Sequence, residues 1–166
     1  GRKWILKAPH HLAAVQTVLK AFPESVIVMT HRRVDHVVAS FASMVCSLTG
    51  GNTDADFRIA QGRHWAERLR RNLHDMMEAR SHAEHRFVDV QYRELLADPI
   101  GHARRIFSAA GILVDEADIA AWEGWLAGNK RDNRPSHKYN LADFGIDADE
   151  LRRNYAFYTE AYGLEG

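Results

Sequence analysis

The chain has 166 residues and carries 22 Lys plus Arg against 22 Asp plus Glu, so its formal charge is zero with His neutral. That length supports one domain with a real core, and the balance excludes a general electrostatic case for nucleic-acid or membrane-surface binding, so any anion site has to be local. The single cysteine, Cys46, excludes an internal disulfide, and with no signal peptide or membrane-length apolar run a cytoplasmic protein is the default.

In chain order, residues 3–6, Lys-Trp-Ile-Leu, read as a first strand. Ala8-Pro9 breaks it, and Pro suits the first turn of the helix marked by Leu12, Val15, Leu19 and Phe22. Pro23 ends that helix, and the β-branched run at residues 26–29 reads as a buried parallel strand. Polar Thr30, His31, Arg32 and Arg33 follow at once. A helical period then takes over through Val34, Val37, Val38, Phe41, Met44, Val45 and Leu48, which builds one apolar face. Strand, helix and strand in about thirty residues form a βαβ unit with a parallel sheet.

Two cations therefore sit where a strand ends and a helix begins. In open α/β sheets ligands bind at that place, and a helix N-terminus there favours anions. Ser40 lies on the flank of the apolar stripe, where a hydroxyl is able to face a ligand. The residues alone equally allow Arg32 to cap a sheet edge and Ser40 to be a plain helix-flank polar group.

The Gly50-Gly51 pair is no phosphate loop, since it follows a helix and lacks a Gly-Lys-Ser/Thr sequel. A long helix is expected over residues 57–83, with Trp65, Leu69, Leu73, Met76 and Arg80 on one stripe. Residues 86–90, Arg-Phe-Val-Asp-Val, read as a third strand, with Tyr92 just past its end. Asp98-Pro99 starts the next helix and Gly111 stops it. Another amphipathic helix covers 115–126. A basic, turn-rich loop spans 128–140 and includes Lys130, Arg131 and Arg134. Asp147 with Glu150 is expected to form a capping box for a last helix striped by Leu151, Tyr155, Tyr158 and Tyr162. Glu94, Asp98 and Asp89 read as caps and solvated acids. Cys46 reads as a small packing residue rather than a nucleophile.

Four segments, in order, carry a resemblance. They are WILKAPHHL at residues 4–12, FPESVIVMTHRRVDHVVAS at 22–40, VDVQYRELLADPIGHARRIFSAAGI at 88–112, and HKYNLADFGI at 137–146. Together they resemble the PAPS-dependent sulfotransferases of bacterial type, enzymes that move a sulfuryl group from 3′-phosphoadenosine 5′-phosphosulfate to a hydroxyl and leave PAP. The resemblance implies a P-loop nucleotide-kinase-like three-layer α/β fold, here partial, with a short parallel sheet, flanking helices and a helical C-terminal part. It implies that Arg32 and Ser40 hold the 3′-phosphate and that Tyr92 meets the adenine end. It implies that Lys7 steadies the transferred group, and that Arg131 and Arg134 close over the nucleotide.

A base is needed for the attacking hydroxyl, and imidazole suits it. His11 matches the family's histidine, with His10 as its neighbour. On the residues alone these are as readily a surface pair, Tyr92 an aromatic at a sheet edge, and residues 130–134 a solvated loop. His10, His11, His31 and His36 have no spacing that suits a metal, so none is expected.

Two departures stand out. The family's Arg-Asp-Pro is Arg32-Arg33-Val34 here, which puts a cation against the helix dipole. The Gly- and Ser/Thr-rich loop that cradles the 5′-phosphosulfate has no counterpart before Lys7. Residues 1–166 are accordingly expected to be one domain, the C-terminal portion of a sulfotransferase, inactive alone and acting in the full protein on a small-molecule, lipid or sugar hydroxyl. A non-catalytic nucleotide-binding or interaction module derived from the same fold is the alternative. The Asp-free His31-Arg32-Arg33-Val34 turn speaks against a kinase relative. The acceptor is not legible, because acceptor pockets are built from variable loops.

Overall fold

A computed structural model of the chain describes residues 3–50, 55–129 and 139–164. Among these residues there are two strands, β1 (Ile27–His31) and β2 (Phe87–Gln91). The α-helices are α1 (Val15–Ala21), α2 (Val34–Thr49), α3 (Arg58–Ser81), α4 (Tyr92–Ala97), α5 (Pro99–Ala109), α6 (Glu116–Gly128), α7 (Ala148–Asn154) and α8 (Ala156–Tyr162). Short 3-10 turns cover Pro9–Ala14, Glu84–Arg86 and Leu141–Phe144.

The strands pair in parallel, with Ile27 opposite Phe87, Met29 opposite Asp89 and His31 opposite Gln91. Side chains alternate between faces of a strand. On β1, Ile27, Met29 and His31 are the more buried set, and Val28 and Thr30 are exposed. The core gathers Val15 from α1, Val34 and Val38 from α2, Leu73 and Met76 from α3, and Leu151, Tyr155 and Tyr158 from α7 and α8. This is the expected α/β architecture with a short parallel sheet and a helical C-terminal part. Among the described residues, no helix is long and apolar enough to cross a membrane.

The register has an identifiable cause. Arg86, one residue before β2, donates to the carbonyls of Leu19, Phe22 and Ser25 and to the Ser25 hydroxyl. Those carbonyls belong to the end of α1 and the turn that leads into β1. One guanidinium therefore satisfies a helix C-terminus and brings the starts of the two strands level.

Three expectations need correction. Residues 3–6 do not form a strand, and the described residues hold two strands where three were expected. Trp4, Ile5 and Leu6 are 84, 76 and 57% exposed. A strand requires a ladder partner for its N–H and C=O groups, and the described residues offer this segment none. Lys3 anchors it by donating to the Ala110 carbonyl just past α5. Second, the apolar stripe of α2 is wider than its buried face: Val34, Val38, Ala39 and Ala42 are buried, whereas Val37, Met44 and Leu48 stay exposed. Third, the last helix breaks at Tyr155, whose φ of −111° and ψ of 7° separate α7 from α8. The Tyr155 ring is buried there and its hydroxyl donates to the Ala66 carbonyl.

Local signals held elsewhere. The Asp98 side chain accepts from the Gly101 N–H with Pro99 in the first helical turn, Gly111 adopts a φ of +64° after α5, and Asp147 accepts from the Glu150 N–H. Gly145, φ +64°, closes the Leu141–Phe144 turn, whose Phe144 is buried against α2 and α3.

The Leu141–Phe144 turn packs closely on α3 at Gly62. A Cβ there would fall inside contact distance of the carbonyl and Cβ of Phe144. Gly62→Ala is expected to lower stability by about 1–3 kcal/mol through overpacking, although Ala is the better helix former. Gly124→Ala, on α6 with nothing within 4 Å, is expected to raise it by about 0.5–1 kcal/mol. Urea denaturation of both variants checks the contrast.

Candidate functional site

The site follows from the ladder. His31 and Gln91 are its last pair, so the next residue of each strand, Arg32 and Tyr92, leaves the sheet side by side. The Arg32 guanidinium carbon lies 4.6 Å from the centre of the Tyr92 ring. That is cation–π geometry, and among the described residues no carboxylate is paired with Arg32. Tyr92 is the first residue of α4.

Arg33 is the N-cap of α2. Its guanidinium meets both carboxylate oxygens of Asp35, at 3.2 and 2.8 Å, and Asp35 also accepts from the His36 N–H. The pair holds the Asp35 carboxyl below its usual range against the opposing pull of burial, which is the largest single influence on it. The expected conflict between a cation and the helix dipole is therefore relieved locally: an acid in the first turn offsets it. The pair is largely exposed. Net local charge remains positive through Arg32. Ser40 is half-buried, six residues beyond the first residue of α2, or about 9 Å along its axis.

Lys7, His10 and His11 belong to the segment that precedes α1. Lys7 is exposed in the extended N-terminal segment. His10 is exposed and His11 half-buried in the Pro9–Ala14 turn, which packs on α3 and α1. Among the described residues no hydrogen bond, ion pair or ring contact joins these three to Arg32 or Tyr92. Lys130, Arg131 and Arg134 lie outside the described residues. The structure thus brings Arg32 and Tyr92 into contact, and does not do so for Lys7, His10 or His11. Among the described residues no three His, Cys, Asp or Glu side chains converge as a metal site requires. Burial is the leading cause that pushes the Cys46 thiol up, in keeping with a packing role.

Directly beneath this corner is a buried polar cluster that sequence reasoning missed. His31 is fully buried. Its Nδ1 lies 2.7 Å from the Tyr158 hydroxyl and its Nε2 2.7 Å from Asp89 Oδ1. Tyr162 stacks on the ring at 4.0 Å and 18°. Arg80, 7% exposed, donates to both oxygens of Asp89 at 2.6 Å, to both oxygens of Glu84, and to the Tyr162 hydroxyl. Asp89 is therefore no simple solvated acid. Hydrogen bonds from Arg80 hold its carboxyl below the usual carboxylate range.

Burial pushes the His31 imidazole below its ordinary value of 6.5, and this outweighs the upward pull of Asp89, whose charge Arg80 already meets. This direction favours a neutral ring, and beside the Asp89 carboxylate a neutral ring carries its proton on Nε2, which leaves Nδ1 to accept from the Tyr158 O–H. The one signal in the sequence was a histidine at the end of an apolar strand. Its partners are 58 and 127 positions away, beyond the reach of any local pattern.

With this geometry, the comparisons with known proteins are specific. The sulfotransferase family matches residues 1–116. The solved structure of sulfotransferase STF9 from Mycobacterium avium superposes with a TM-score of 0.86 at 25% identity, covering 98% of this chain and 42% of that one. Sulfotransferase STF1 from Mycobacterium tuberculosis gives 0.77 at 28% identity, covering 94% of this chain and 40% of that one. The chain thus spans about two fifths of the length of these structures. No curated protein matches it significantly.

The neutral imidazole has a measurable consequence. As pH falls below 6.5, the unfolded chain binds a proton at this residue before the folded chain does, so the contribution of His31 to stability is complete above 6.5 and is lost as pH falls through its lower folded value. His31→Gln should cost about 1–3 kcal/mol at neutral pH by leaving buried groups unpaired. The stability gap between wild type and variant should narrow from about pH 7.5 to about pH 5.5. Urea titrations at both values check this; a gap that widens on acidification would mean that the native pair with Asp89 is ionic.

Proposed function

The chain belongs to the sulfotransferase family, and from that premise we propose that it carries the part of a PAPS donor site that binds the 3′-phosphate. The observation that supports this reading is Arg32 itself. It stands at the end of a parallel strand beside the N-terminus of α2, lies on the Tyr92 ring, and has no carboxylate partner among the described residues. A guanidinium placed there suits two-point contact with a phosphate. The first-turn N–H groups of α2 add a favourable dipole.

In this reading Arg32 and Ser40 hold the 3′-phosphate and Tyr92 borders the adenine. Arg131 and Arg134 close over the nucleotide. Lys7 offsets charge on the bridging oxygen as the S–O bond of the donor breaks. His11, half-buried on its turn where His10 is exposed, accepts the proton as the acceptor oxygen forms the new O–S bond, and PAP leaves. Little of this involves bonds to the protein; by analogy with phosphoryl transfer, the residues act by positioning and charge. The acceptor in this reading is a hydroxyl of a small molecule, lipid or sugar. A nucleotide-binding module without turnover is the second reading, favoured by the lack of any polar contact between the Lys7–His11 segment and the Arg32 corner among the described residues.

Calorimetry at low salt tests the proposal. Adenosine 3′,5′-bisphosphate should bind more tightly than adenosine 5′-monophosphate; equal affinities would remove the 3′-phosphate reading. Arg32→Ala should cost about 1.5–3 kcal/mol of bisphosphate binding, the value of a charge-assisted contact. Arg33→Ala should change it by less than about 0.5 kcal/mol, because that guanidinium is engaged by an exposed Asp35. If Arg33→Ala proves the more damaging, the phosphate assignment shifts by one residue.

A further inference from the structure

The last pair of the ladder is gripped from below by α8. His31 accepts from the Tyr158 hydroxyl at 2.7 Å. Its ladder partner Gln91 donates through Nε2 to the Tyr162 carbonyl, also at 2.7 Å. The residues immediately above this pair are Arg32 and Tyr92, in contact with each other. A fully buried histidine is an unexpected choice at such a place. An apolar side chain fills the same space without polar partners, and a buried polar network is tolerable only when each member is satisfied. Here each is, and the described residues leave no buried side-chain nitrogen or oxygen unpaired.

What the polar ring adds over an apolar one is direction. Two hydrogen bonds at opposite edges of the imidazole, to Tyr158 on α8 and Asp89 on β2, fix its position and its rotation. Tyr162 stacking fixes its plane. Arg80 on α3 orients Asp89 in turn. The groups that face the ring are thus Asp89, Arg80, Tyr158 and Tyr162, from three elements. The ring belongs to the residue whose peptide leads directly into Arg32.

We infer that His31 is a positioning residue for the anion site: held by Tyr158 and Asp89, it sets the angle at which Arg32 leaves β1 and so aligns the guanidinium over Tyr92 for a phosphate. This rests on the reading of Arg32 as the 3′-phosphate contact. It extends the site to α8, which touches no ligand in that reading. The hydroxyl of Tyr158, 127 positions from His31 in sequence, becomes a determinant of how well the chain distinguishes a 3′-phosphate.

The test uses the whole chain and a ratio: affinity for adenosine 3′,5′-bisphosphate over affinity for adenosine 5′-monophosphate, by calorimetry. Loss of folded protein scales both affinities alike and leaves the ratio unchanged. Tyr158→Phe keeps the ring and removes only the hydroxyl, so it is the variant that folds most readily; His31→Gln is the second. Each should lower the ratio about threefold to tenfold, with unfolding followed separately by circular dichroism. In an Arg32→Ala background, Tyr158→Phe should lower it no further, because the effect passes through Arg32. A ratio that stays at the wild-type value in folded Tyr158→Phe overturns the inference and leaves the Arg32 reading standing. A further drop in the Arg32→Ala background also overturns it. A wild-type chain with no preference for the bisphosphate removes the Arg32 reading, and the inference with it.

Discussion

The carboxylate of Asp89 is the group on which the structure depends most. It accepts from His31 on β1 and twice from Arg80 on α3, while its own backbone carbonyl accepts from Arg105 on α5. Through His31 and Arg80 it reaches Tyr158 and Tyr162 on α8. Taking a guanidinium out of water is costly unless charge and hydrogen bonds replace the lost hydration, and removing one partner leaves the other stranded. Arg80 has a second acid in Glu84, but Glu84 lies just past the end of the same helix and is 66% exposed. Asp89 is the charged partner that connects that buried cation to the sheet, where the Phe87 ring of β2 also lies 5.0 Å from the guanidinium carbon. Both strands, the long helix and the C-terminal helix are thereby tied to one side chain in the middle of β2.

The polar contacts also define the height at which the corner formed by Arg32 and Tyr92 stands. Arg86 levels the starts of the two strands by gathering carbonyls from the end of α1. At the fifth and last pair, α8 grips His31 and Gln91 together. With both ends fixed, a one-residue slip would bury Arg32 where His31 sits and separate it from Tyr92. Register is strongly specified wherever one face is buried, and here buried hydrogen bonds reinforce the apolar pattern.

What was legible in the sequence was local. The strand before the His31-Arg32-Arg33 turn, the helix after it, the long α3 and the caps at Asp98, Gly111 and Asp147 all announce themselves through neighbouring residues, because period and capping act over one or two turns. The strand at residues 3–6 failed for the opposite reason. Its β-prone composition is real, but pairing is a non-local condition. The break at Tyr155 was hidden because Leu151, Tyr155, Tyr158 and Tyr162 keep a helical spacing across it. The buried cluster was invisible for the same reason as the strand: Asp89 in isolation is an ordinary acid, and only the fold brings Arg80 and His31 to it. Arg32 and Ser40 stood out only through the order of a strand, a turn and a helix, together with a family resemblance.

A chain with no net charge has to create a local cation by distributing its acids. Asp56 takes Arg58, Glu67 takes Arg70 and Arg71, Asp149 takes Arg152, Asp35 takes Arg33, and Asp89 with Glu84 takes Arg80. At the strand–helix turn, two adjacent arginines are treated differently. Arg33 receives a carboxylate from its own helix, and Arg32 receives an aromatic face. A carboxylate would compete directly with an incoming phosphate for the guanidinium N–H groups. A π-face holds the cation in place by its quadrupole and leaves the edge N–H donors of the fork open to a planar, two-point partner. Tyr92 therefore does for Arg32 what no acid is able to do: it fixes the charge without neutralising it.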